Sequence, residues 1–182
     1  MHISKLKKYY FIDDFNLNNL KDLDKNIILI WRKKNIGHDL EKINKLAKFC
    51  KKRGIKLLLS NNVKLAIKLK LHGAYISANN KDYRFNNFLL KKNFILVGGA
   101  HNLIEVNIKK KQKIREIFIS PIFKYKKRYP LGIYKSRYFF LDNSYNKIAL
   151  GGINNLNLKT LLLSKFLGFA AIEMFQKKRP QK

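Results

Sequence analysis

A single cysteine, Cys50, stands in 182 residues, which excludes a disulfide framework and a cysteine-built metal site. Set among Leu46, Ala47 and Phe49 in a helical pattern, it reads as a buried, inert thiol. Long apolar runs are missing too. No stretch approaches the roughly 18 residues that a membrane-spanning helix needs, and the opening MHISKLKK lacks the apolar segment of a secretory signal. A soluble, cytoplasmic protein with no membrane partner is expected. With no internal repeat, no long linker and no strongly low-complexity segment, the length fits one domain over residues 1–182, its core within 9–175.

Acidic residues are scarce: 11 Asp and Glu stand against 40 Lys and Arg, a formal net charge of +29. Three explanations compete for this excess, namely neutralisation of nucleic-acid phosphates, attraction of small phosphorylated metabolites, and a drift of composition toward Lys, Asn and Ile. Segments such as Asn16 to Asn19 and Asn154 to Asn157 speak for drift, because nucleic-acid binding demands nothing of them. Drift leaves the shortage of Asp and Glu unexplained, so anionic partners stay open.

What is there is a rhythm of short apolar runs alternating with helical patterns, as repeated βα units around a parallel sheet require. Eight strands are expected: Tyr9 to Ile12, Ile27 to Trp31, Lys56 to Leu59, Gly73 to Ile76, Phe94 to Val97, Glu116 to Ile119, Lys147 to Leu150 and Phe169 to Ile172. Leu40, Ile43, Ala47 and Cys50 recur at helical spacing and Gly54 supplies a stop. Further helices are expected over Val63 to Leu71, capped by Asn61 or Asn62, and over Leu103 to Lys113 behind Asn102, with Glu105 in the capping-box position. The other helices expected are Leu158 to Leu167 and, with weaker patterns, Asp14 to Lys25 and Phe85 to Lys92. Ten residues follow the eighth strand, so the last helix is expected to be absent or vestigial. The fold class is α/β, a reduced (β/α)8 TIM barrel with short or missing helices and a truncated C-terminus, smaller than the usual ~250 residues. A doubly wound open sheet is the alternative, but no G-x-G-x-x-G turn follows the first strand.

In such a barrel the loops leaving the strand ends converge on one face, where polar residues carry the chemistry. Here they are Arg32, Lys33 and Lys34; Ser60, Asn61 and Asn62; Ser77, Asn79 and Asn80; Gly98, Gly99 and His101; Ser120, Pro121 and the basic loop Lys124 to Arg128; and Gly151, Gly152 and Asn154. Cations, amides and glycine-exposed backbone N–H groups on one cleft make a phosphate-binding surface. In IALGGINNLNL, from Ile148, the two glycines read equally as a phosphate site and as an ordinary strand-to-helix turn.

Five segments in order carry a resemblance: LIWRKKN from Leu29, LLLSNNVKLAIKLKLHGAYIS from Leu57, VGGAHNLIEV from Val97, IFISPIF from Ile117, and IALGGINNLNL. From about Tyr9 to Ile172 the chain resembles the thiamine phosphate synthase and TenI superfamily. The resemblance implies a transferase of thiamine biosynthesis that joins a hydroxymethylpyrimidine diphosphate to a thiazole phosphate and releases diphosphate. On that template Arg32 and Lys34 hold the diphosphate, as fork and point charge, with Asn61, Asn80, Lys127 and Arg128 among the substrate contacts. Gly151 and Gly152 hold the thiazole phosphate, while His101 matches the segment in which TenI-like members place a catalytic histidine.

The chain also departs from the pattern. Asn61 and Asn80 stand where the family's synthases place aspartates for Mg2+, and a neutral amide is a poor ligand for a hard dication. Ile30 replaces a glutamine, and Lys124, Tyr125, Lys126, Lys127 and Arg128 replace a threonine-rich loop. Extra positive charge could stand in part for the metal. A second reading is therefore a TenI-like thiazole tautomerase, or a catalytically degenerate member that binds thiazole or thiamine phosphates, with His101 moving the proton; alternatively His101 only caps the adjoining helix. A third reading, a nucleic-acid-binding protein, draws on Tyr125, Tyr129, Tyr134 and Tyr138 interleaved with cations; nucleic acid is the less favoured partner, because a loop closing over a small anion explains the same residues.

Overall fold

A computed structural model describes residues 6–33, 39–88, 90–125 and 129–176. Eight apolar runs form strands β1 Lys7–Ile12, β2 Ile27–Trp31, β3 Leu57–Ser60, β4 Gly73–Ile76, β5 Ile95–Ala100, β6 Glu116–Ile119, β7 Asn146–Leu150 and β8 Gly168–Ala171. Each pairs in parallel with the next and β8 pairs with β1, closing the barrel in sequence order. The expected (β/α)8 architecture is what the chain forms, and closure leaves no open sheet edge for a doubly wound alternative.

The helices are α1 Leu17–Leu20, α2 Leu40–Arg53, α3 Val63–Lys68, α4 Leu103–Lys111, α5 Gly132–Ser136 and α6 Leu158–Leu162, with 3₁₀ turns at Arg84–Asn87 and Arg137–Leu141. Most are shorter than their sequence patterns. Lys70 and Lys113 take positive φ, at 53° and 58°, and end the turns that follow α3 and α4. Of the span from Asp14 to Lys25 only α1 is helical, opened by the Asn16 side chain accepting from Asn18 N–H. Phe85 to Lys92 contributes only part of a 3₁₀ turn. Helix α2 forms where its pattern places it, though Leu40 at its first position is exposed and Ala47 only partly buried: Ile43, Leu46 and Cys50 are the buried residues, and Gly54 sits in the left-handed region at φ 66°. Burial pushes the Cys50 thiol up to about 12, in keeping with an inert packing residue.

Two apolar layers hold these elements. The outer layer packs the helices on the strands and includes Leu29, Trp31, Ile43, Leu46, Leu57, Leu59, Ile117 and Phe169. Inside the barrel, Tyr9, Phe11, Tyr75 and Phe118 meet edge to face, with centroids 4.9–5.8 Å apart, and fill the lumen with Ile30, Leu58, Val97, Ile148 and Ala170. Aromatic bulk on some strands is matched by small residues on others. Gly98 and Gly99, expected beyond the fifth strand, lie within β5. A Cβ on Gly99 would stand 2.5 Å from the Tyr75 hydroxyl, so this position is glycine to seat an aromatic plug.

Candidate functional site

At the carboxyl ends of the strands lies a cavity of about 680 Å3, walled by Arg32 after β2, Ser77 to Asn79 after β4, His101 after β5, Ser120 and Pro121 after β6, and Gly151 to Asn154 after β7. Its floor is the aromatic plug, through Phe11 and Tyr75, and Lys124, Tyr125 and Glu173 close its rim. Arg32, His101, Gly151 and Gly152 thus share one cavity. Asn61 and Asn80 stand beside it, joined to its wall through Ser77. Lys34, Lys127 and Arg128 lie outside the described residues.

Arg32 leaves β2 half-exposed and meets Asp13, which follows β1. Its Nε donates to Asp13 Oδ1 at 3.0 Å and its Nη2 to Oδ2 at 2.6 Å, a fork that holds the guanidinium plane at the cavity mouth. This carboxylate holds the Arg32 pKa above its ordinary value. Tyr75 lies below; burial pushes its hydroxyl up to about 12, so it faces the cavity as a neutral donor and acceptor.

His101 lies just before α4. Its backbone N–H donates to Glu105 Oε2 at 2.6 Å, and its ring Nδ1 lies 2.9 Å from the same oxygen. Asn102 caps the helix by accepting from Glu105 N–H at 2.9 Å. The expected capping box is therefore offset by one residue: Glu105 reaches past the cap to His101, gripping it by main chain and ring together.

The glycine pair after β7 turns with φ 96° at Gly151 and 66° at Gly152. A Cβ on Gly151 would fall 2.8 Å from Pro121 Cα, and one on Gly152 would fall 2.5 Å from the Lys124 carbonyl oxygen. The turn packs on the loop after β6, to which it is also bonded: Ile122 N–H donates to Leu150 C=O at 2.9 Å and Phe123 N–H to Gly151 C=O at 3.0 Å. Two strand-end loops are thereby locked together at one side of the cavity.

Asn61, itself at φ 56°, turns its Oδ1 to the Ser77 N–H at 2.8 Å and to Asn80 Nδ2 at 3.3 Å. Asn80 Oδ1 accepts from Asp82 N–H at 2.8 Å. The two amides form a small network that ties the turn after β3 to the turn after β4. Asp13 and Glu105 complete the site as partners, each recognisable only once its cation or imidazole is placed opposite it.

Fold and cavity together define a barrel whose polar, cation-flanked cleft gathers at the carboxyl ends of its strands. A family model described as thiamine monophosphate synthase matches residues 26–175, and the chain belongs to that family. A thiamine-phosphate synthase of Prochlorococcus marinus subsp. pastoris is 26% identical over 162 residues; the match covers 84% of this chain and 46% of that protein, so the chain spans less than half of its relative. Among solved structures, a thiamine phosphate pyrophosphorylase from Pyrococcus furiosus aligns with a TM-score of 0.72 at 18% identity, covering 92% of this chain and 86% of that one. A thiamine phosphate pyrophosphorylase from Bacteroides thetaiotaomicron aligns with a TM-score of 0.59, also at 18% identity, over 92% of this chain and 82% of its own. No helix among the described residues is long and apolar enough to cross a membrane.

Proposed function

We propose that the chain is a thiamine phosphate synthase-like transferase, which joins a hydroxymethylpyrimidine diphosphate to a thiazole phosphate and releases diphosphate. The observation that carries this reading is the meeting of Arg32, His101 and the Gly151–Gly152 turn in one cavity, in a chain of this family. Arg32 binds the diphosphate: Asp13 occupies Nε and Nη2, fixing the fork, and Nη1 is presented to a phosphate oxygen. Electrostatic stabilisation of the departing diphosphate falls to Arg32 and Lys124, with Lys34, Lys127 and Arg128 as candidates from sequence alone. Gly151 and Gly152 admit the thiazole phosphate beside the backbone.

The residues at hand do not fit the Mg2+ that the family's pattern implies. Asn61 Oδ1 already accepts two N–H groups and Asn80 Oδ1 accepts one. Neither amide brings negative charge to a hard dication. Among the described residues no group of three or more His, Cys, Asp or Glu side chains could hold a metal ion. Anion binding is accordingly assigned to the chain's own cations.

The reading is tested by incubating the protein with hydroxymethylpyrimidine diphosphate and thiazole phosphate, in EDTA and in Mg2+, and measuring thiamine phosphate and released diphosphate. Product in EDTA supports it; no product under either condition overturns it. The grip of Glu105 on His101 favours a second reading, a thiazole tautomerase, since a carboxylate on Nδ1 orients an imidazole for proton transfer. Turnover of a thiazole carboxylate phosphate tautomer without diphosphate release selects that reading.

A further inference from the structure

Lys109 lies on α4 with no surface exposed, and among the described residues no carboxylate pairs with it. Its ammonium donates to the backbone carbonyl of Asn80 at 2.6 Å and to Gln112 Oε1 at 2.9 Å. Gln112, equally buried, donates to the same Asn80 carbonyl at 3.0 Å and to that of Asp82 at 2.8 Å. The strand beneath makes room for this arrangement, since a Cβ on Gly98 would stand 2.8 Å from Lys109 Cδ. Glu105, one turn away, is the carboxylate that acts on Lys109 through space, but its Oε2 is turned to His101.

A buried, unneutralised cation is costly unless hydrogen bonds or an opposite charge repay its dehydration. Burial pushes the Lys109 amine down to about 8, which still leaves the cation predominant at neutral pH. What the ammonium grips is the turn that bounds the cavity. Asn80 N–H bonds to the Ser77 carbonyl at 3.1 Å, its side chain meets Asn61, and Ser77 and Asn79 line the cavity wall.

We infer that Lys109 is a positioning residue for this cavity: with Gln112 it fixes the Asn80 turn, so that Ser77 and Asn79 face the ligand with a buried positive charge behind them, favouring a phosphate or diphosphate group. The inference rests on the phosphate-binding reading of the same cavity and adds to it a charge that no exposed residue supplies. It also separates affinity from stability. Replacing the ammonium by an apolar side chain removes its dehydration cost but leaves Gln112 Oε1 without its donor, so thermal stability does not report the positioning role, whereas loss of a positioning cation weakens anion binding.

The test uses inorganic pyrophosphate in EDTA, titrated calorimetrically into the full chain, Lys109→Met, Gln112→Met and the exposed control Lys52→Met. Thermal unfolding and amide hydrogen exchange at residues 79–82 are measured alongside. Lys109→Met is expected to bind at least tenfold more weakly and to exchange faster at 79–82. Gln112→Met shifts affinity and exchange in the same direction by less, and Lys52→Met stays within twofold of the parent. An affinity of Lys109→Met within twofold of the parent, with unchanged exchange at 79–82, overturns the inference. If the parent binds no pyrophosphate, the phosphate-binding reading fails on its own account; unchanged exchange in Lys109→Met then overturns the positioning role and faster exchange upholds it. If Lys109→Met does not fold, Gln112→Met decides by the same two criteria.

Discussion

The two ends of the barrel hold cavities of similar size and opposite construction. At the amino ends, about 580 Å3 is lined by Lys7, Lys25, Lys56 and Arg115, with Tyr9 and Glu116 at the bottom. At the carboxyl ends, about 680 Å3 is lined by Arg32, Ser77, His101 and the glycine turn. In a chain of net charge +29, cations around a hollow distinguish neither end. What differs is how the polar groups are held. Below, Glu116 accepts from the Tyr9 hydroxyl at 2.5 Å and pairs with Lys7, so the buried polar atoms satisfy one another, and Lys25, Lys56 and Arg115 are exposed. Above, each chemically useful group is aimed by a partner behind it: Arg32 by Asp13, His101 by Glu105, the Asn80 turn by Lys109. Held geometry, more than charge or volume, distinguishes the carboxyl end.

The sharpest way to break that contrast is at the glycine turn. Gly152→Ala forces a Cβ toward the Lys124 carbonyl at a backbone φ of 66°, where side chains are rarely found. Clash and strain together are expected to cost about 3 kcal/mol, read by urea unfolding, and to abolish product formation. Stability within 0.5 kcal/mol of the parent, on the order of an ordinary surface substitution, would remove the locked-loop account. Arg32→Ala probes the same end without the packing. Its pair with Asp13 is half-exposed and contributes about 1 kcal/mol or less to stability, whereas diphosphate affinity is expected to fall about 100-fold, near 2.7 kcal/mol. Unchanged affinity by calorimetry would move the diphosphate elsewhere.

How far the sequence alone reaches can be read from these same residues. The strands were legible because parallel strands covered on both faces are apolar throughout, and strand ends carry Arg32, His101 and Gly151 directly. Helix α2 was legible through Ile43, Leu46, Cys50 and Gly54. The 3₁₀ turn at Arg137–Leu141 and helix α5 had no apolar period to betray them: Tyr134 and Tyr138 are exposed, and the buried residues of the pair are Ser136 and Phe139. Gly98 and Gly99 read as loop because two glycines seldom sit in a strand; their reasons, Lys109 on one side and Tyr75 on the other, come from elements far away in sequence. Lys109 itself, in a run of three lysines closing α4, looks like solvated surface until the turn after β4 is laid over it. Asp13 was missed likewise, and Glu105 was legible only as a capping-box residue and not as the partner of His101, since a positioning residue is defined by what it faces.

The amino end gives the complementary test. Burial and the neighbouring Glu116 carboxylate hold the Tyr9 hydroxyl well above its usual pKa, so at neutral pH it is a fixed donor to Glu116. Tyr9→Phe removes that bond inside the barrel and is expected to cost about 2 kcal/mol of stability while leaving affinity for pyrophosphate unaltered. A loss of affinity matching that of Arg32→Ala would erase the distinction between the two ends.

The smallest effect is a pH dependence read as the difference between the parent and Lys109→Met. Lys109 has its folded pKa lowered to about 8 from an ordinary 10.5, so between those values the unfolded chain binds more protons than the folded one. Stability must therefore rise with pH across that window: below the folded pKa both states carry the proton and the burial penalty is complete, and the penalty is relieved as the folded amine loses its proton. Buried Cys50, raised to about 12 from 9, opposes this rise and Lys147, lowered by burial, adds to it in the same window, so Lys109 is isolated only by the difference between the parent and Lys109→Met. Denaturant unfolding of the parent should show a gain of about 1–2 kcal/mol from pH 8 to pH 10 relative to Lys109→Met. Exposed lysines titrate alike in both proteins and cancel from that difference. Parallel pH curves would mean that the ammonium is not confined at all, and that the Asn80 turn is held by Gln112 alone.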